Sequence, residues 1–134
     1  MKQLHSLMNR LHNPDLGLLL LRLGIGAVFL YHGWDKVGNM EGVIGFFAML
    51  GFPAPLAYLV TWVEVLGGLA IILGVYARHA ALLTAIVALV ALVKVHLPNG
   101  FSVGAGGYEF ILVLLVGSLA ILMVGAGRYA LYRN

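Results

Sequence analysis

Apolar residues fall into four long runs separated by short polar or glycine- and proline-rich breaks. The first opens at Asn13-Pro14-Asp15. There asparagine can cap a helix, proline suits the first helical position and the carboxylate favours the positive end of the helix dipole. That run predicts a span over residues 16–36, its end marked by Gly33 and Gly38. Spans over 56–75, 80–97 and 108–124 follow, bounded by Pro53 and Pro55, by Arg78-His79 and by Pro98-Asn99-Gly100. A span needs about 20 apolar residues to cross roughly 30 Å of hydrocarbon. Residues 39–50 carry Val43, Ile44, Phe46, Phe47 and Leu50 but are too few to cross, which predicts a short interfacial or re-entrant helix. The pattern therefore predicts an all-α fold: a four-transmembrane-helix bundle forming one integral membrane domain over 1–134, preceded by a short polar segment up to Asn13.

Composition agrees. Of 134 residues, 62% are hydrophobic and 10% charged, and the mean hydropathy is +1.01, far from a soluble domain. Cysteine is absent, so the chain has no disulfides, no thiolate metal site and no dithiol redox pair. No small-residue cleavage pattern follows the first run, which reads as a retained span. The net charge of +3 does not form a stripe for nucleic acid. Lys2, Arg10, Arg78, Arg128 and Arg133 instead share one side of the predicted topology, against Lys36 and Lys94 on the other, which places both termini in the cytoplasm. Tyr58 and Trp62 near the start of the second span read as interfacial anchors. Gly67-Gly68 and Ala81, Ala85, Ala88 and Ala91 would let helices approach closely, and leave faces for a homo-oligomer.

Six ionisable residues lie within or at the edges of the runs: Arg22, His32, Glu64, Lys94, His96 and Glu109. Charges at membrane depth are costly, so they usually face a bundle interior, where they pair or work. Arg22 lies eight residues past Pro14, about 12 Å deep at 1.5 Å per residue. Glu64 is about as far into an antiparallel span, so the two are expected to form a buried ion pair, structural or proton-carrying. His32 and Lys36 share one helix face, and with Lys94, His96 and Glu109 they gather at the external end as a candidate ligand site. Each has a plain alternative: lysines snorkel and a glutamate complements a helix N-terminus. Lys94 and His96, two apart, should point to opposite faces of a regular helix, with His96 inward and Lys94 at the interface. His32 and His96 on neighbouring helices can in principle hold a haem, and adding a glutamate can make a metal site. No H-E-x-x-H or E-x-x-H spacing supports either, so no metal is assigned.

Arg22, YHGWDK at Tyr31 to Lys36, EVLGGLAIILG at Glu64 to Gly74, KVHLPNGF at Lys94 to Phe101 and GGYEF at Gly106 to Phe110, taken in order, resemble the DoxX family over nearly the whole chain. The resemblance implies a four-helix protein of the bacterial or archaeal plasma membrane, related to a small subunit of a thiosulfate:quinone oxidoreductase. It singles out Arg22, Gly33 to Lys36, Glu64 with Gly67-Gly68, His96 and Glu109. It also implies a quinone as ligand and a partner oxidoreductase subunit. A flat, apolar quinone needs a lipid-accessible cleft with a few convergent polar groups, which His32, Lys36, Glu64, His96 and Glu109 can supply. Two other readings stay open: a transporter of a small ion or acid, and a structural subunit that anchors a complex.

Overall fold

The computed structural model describes residues 1–132; Arg133, one of the basic residues used for orientation, lies outside the described residues. All regular elements among these are helical: α1 (Lys2–Leu11), α2 (Pro14–Val37), α3 (Met40–Met49), α4 (Ala54–Leu73), α5 (Ala77–Ala91) and α6 (Glu109–Val124). Beyond α5 the helix widens into a π segment, Leu92–His96, then tightens into a 3₁₀ turn, Leu97–Asn99. Three stretches are long and apolar enough to cross a membrane: Pro14–Val37, Ala54–Leu73 and Ala77–Asn99. The fourth expected span, α6, is apolar but has 16 residues, roughly 24 Å at the α-helical rise. The segment up to Asn13, read as merely polar, instead forms α1.

Local chemistry sets the boundaries. Asn13 caps α2 as its start signal predicts, its side-chain oxygen accepting from the Leu16 amide at 3.1 Å. α4 ends at Gly74, whose φ of +71° is the left-handed conformation of a helix C-cap. Pro98 follows the π segment and stops the third long helix.

The α2–α4 contact depends on glycine. A Cβ on Gly26 would come within 2.7 Å of the Gly68 carbonyl, and one on Gly68 within 2.6 Å of the Leu30 amide. Only bare backbone fits there, which is how helices approach most closely where lipid supplies no hydrophobic drive. Gly67 faces α5 instead, towards Thr84. Small residues also line the α5 side of the core: Ala77, Ala80, Ala81 and Ala88 pack with Ile71, Leu114 and Ile121. The buried Thr84 and Ser118 hydroxyls share a hydrogen bond of 3.0 Å, tying α5 to α6.

Past α6 the chain folds back over the end of the bundle where α2 starts. The Arg128 amide donates to Asp15 Oδ1 at 3.0 Å, and the Leu131 and Tyr132 amides donate to the Leu73 and Gly74 carbonyls. Hence α6 runs beside α2, from Phe110 near His32 at one end to the strap near Asp15 at the other.

Candidate functional site

Arg22 and Glu64 do not pair. Arg22 is only 1% exposed and donates to carbonyls: Nε to Ile71 O at 2.9 Å, Nη2 to Ile72 O at 2.9 Å, and Nη1 to Ala126 O at 2.9 Å and Tyr129 O at 2.7 Å. The guanidinium thus caps the C-terminal turn of α4, the negative end of its dipole, and fastens the strap to it. Glu64 is paired with Lys36, Oε2 to Nζ 2.7 Å. Helix register explains the difference. Gly26 lies against Ile72 and Gly33 against Val65 and Glu64, so Glu64 sits opposite the Gly33–Lys36 turn. That turn is some twelve residues along α2 from Arg22, about 18 Å at 1.5 Å per residue.

The Lys36–Glu64 pair borders a cavity of about 600 Å³ enclosed by α3, α4 and α5. Its walls are almost wholly apolar. Phe46, Leu56, Leu59, Leu83, Ile86 and Val90 line it and are exposed, so the cavity is open at the surface of the bundle. α3, expected only at the interface, forms one wall through Val43, Phe46 and Phe47. The polar lining is Lys36, Asn39, Glu64, Lys94 and His96. Lys94, Val95 and His96 all border it, so the whole of this turn, which is π rather than α, lies along the cavity, where only His96 was expected to face inward. Single π turns of this kind recur at functional sites.

Glu109 and His32 lie at the same end but are not among the residues that line the cavity. Glu109 Oε1 accepts from the Val103 amide at 2.7 Å and so orders the glycine-rich loop. The His96 ring, through Nδ1, and Asn99 Nδ2 both meet the Gly106 carbonyl, at 3.1 Å and 3.2 Å. A Cβ on the neighbouring Gly107 would strike the backbone of Gly100 to Ser102, so the loop folds tightly on itself. His32 is exposed, stacks edge-on with Tyr31 and tilts against Phe110. It is near enough to Glu64 to interact with its charge through space. Among the described residues no three His, Cys, Asp or Glu side chains converge as metal ligands would. The apolar walls, Asn39 and α3 were not singled out from the sequence as parts of a site; Val43 and the adjacent Phe46 and Phe47 in so short a segment carry no signal beyond amphipathicity.

The sequence has known relatives. The family model DoxX matches residues 17–97. The chain is 34% identical over 117 residues, 87% of its length and 85% of the relative's, to the Bacillus subtilis (strain 168) protein named "Putative oxidoreductase CatD". It is 31% identical over 121 residues, 89% of its length and 92% of the relative's, to inner membrane protein YqjF of Escherichia coli (strain K12). A third relative, inner membrane protein YphA of the same organism, is 31% identical over 84 residues, 57% of this chain and 60% of that one. No solved structure matches. With apolar helices long enough to cross a bilayer and relatives of this kind, the chain is a membrane protein and belongs to the DoxX family.

Proposed function

We propose that the chain is a quinone-linked redox module whose ligand enters the α3–α4–α5 cavity from the lipid. The cavity carries this reading: its volume lies within the range of about 300–1,000 Å³ usual for small-molecule sites, its walls are apolar and its few polar groups converge. A quinone, when bound, supplies electron and proton uptake at its carbonyl oxygens. The chain's part is to bind, orient and move protons. Lys36 Nζ, fixed by Glu64 Oε2, presents donors to a ring carbonyl from one wall, and Lys94 and His96 face the same space from another. The aliphatic and aromatic walls take the ring and its tail and keep water from the reacting oxygens. Having no cysteine, the chain draws electrons from a partner subunit or an external reductant. The relative named as an oxidoreductase supports redox work.

In this proposal α6 completes a fourth crossing with its flanking residues, as its course from His32 to Asp15 of α2 favours. The protein then sits in the plasma membrane with both termini on the cytoplasmic side, where Lys2, Arg10, Arg78 and Arg128 gather. The test is a titration of detergent-purified protein with a water-soluble short-chain quinone, read by quenching of Trp62 and Trp34. Saturable quenching is expected, weakened at least tenfold in Glu64→Gln and in Lys36→Gln while both variants keep their helical circular dichroism. Quenching that is linear with quinone, or identical in the variants, overturns the proposal.

A further inference from the structure

Helix α1 has no part in the cavity, and none of its residues is buried. Leu4, Leu7, Met8 and Leu11 follow the i, i+3, i+4, i+7 spacing of one helix face and are 61%, 52%, 59% and 67% exposed. Lys2 and Asn9 lie on the opposite face and Arg10 on its flank, where a long side chain can reach past an apolar layer to charged headgroups. The chain carries no acidic residue before Asp15.

Its position is fixed by the chain. His12 and Asn13 are extended and break the helix from α2, which begins its apolar run at once with Pro14, Asp15 and Leu16. With a linker of two residues, α1 cannot leave the level at which the first span meets water, and the break lets it turn flat. An apolar stripe with basic flanks, held at that level, matches a helix lying in the interface plane. The same end of the bundle carries Arg78 and the strap with Arg128, so the surface facing the headgroups is basic.

We propose that α1 is a lipid-binding helix: it buries Leu4, Leu7, Met8 and Leu11 among acyl chains and holds anionic phospholipid headgroups with Lys2 and Arg10. Because the chain has no cysteine, single-cysteine labels report on it without background. The full-length protein, as Leu7→Cys or Asn9→Cys with an environment-sensitive dye, is reconstituted into vesicles of phosphatidylcholine alone or with phosphatidylglycerol. Quenching by neutral acrylamide is then measured. The Leu7 label should be several-fold less accessible than the Asn9 label in phosphatidylglycerol vesicles. That protection should fall in phosphatidylcholine, and also when Lys2→Gln and Arg10→Gln are combined. Equal accessibility of the two labels overturns the proposal, as does protection indifferent to anionic lipid. Protection that appears only at high protein-to-lipid ratio means a second copy covers the stripe, and overturns it equally.

Discussion

At the scale of single residues, two buried charges solve the same problem differently. Glu64 has a side-chain partner of opposite sign, and Arg22 has four carbonyls and no carboxylate. A planar guanidinium can serve several carbonyls in fixed directions, whereas an ammonium is a compact point charge that cannot span them. Arg22→Ala leaves those carbonyls unsatisfied in an apolar setting and is expected to lower stability by about 3 kcal/mol or more. Arg22→Lys is expected to lose most of that as well, because of its shape rather than its charge. Thermal unfolding in a mild detergent checks both, and an unchanged midpoint for Arg22→Lys would refute the clamp. The sequence pointed to both residues as facing the bundle interior, and both are buried. It did not reveal that they avoid each other, because partner choice depends on the register between helices, which is set by glycine contacts far along the chain.

At the scale of elements, that register rests on the backbone contact of Gly26 and Gly68. Gly68→Ala puts a methyl against the Leu30 amide and the Gly26 carbonyl, neither of which can rotate away. The helices must separate, at a cost typical of overpacking, about 1–3 kcal/mol. Gly24→Ala, in the same helix but with nothing within 4 Å of its Cβ, should be neutral or slightly stabilising. The contrast between the two variants in unfolding midpoint is the test, and equal effects would show that α2 and α4 do not meet there. The long apolar helices were legible from run length and their stop signals, and α3 from its short apolar stretch. The stripe of Leu4, Leu7, Met8 and Leu11 was also written in the sequence, although polar neighbours conceal it when only run length is followed. The π turn at Leu92–His96, which borders the cavity, was not legible, because no residue type demands it.

At the scale of the whole molecule, the division of labour is by end. Where α2 starts, Arg22, Asp15 and the strap lock the bundle together; at the other end the Lys36–Glu64 pair, the π turn and α3 border a cavity. Lys36, Glu64, Lys94 and His96 were recognisable as candidates because charges in long apolar runs are few, and all four border the cavity. The cavity beside them was not, since it arises from three helices that hold apart rather than from any motif. The central claim is that this cavity holds a quinone. The most direct measurement is organic extraction of protein purified in mild detergent, with chromatographic assay of quinone per chain, alongside Ala91→Phe, which puts a ring into the cavity wall. The account predicts stoichiometric quinone with the natural chain and little or none with a folded Ala91→Phe variant. Quinone carried equally by both, or a natural chain that carries none and takes up none when it is supplied, would contradict it.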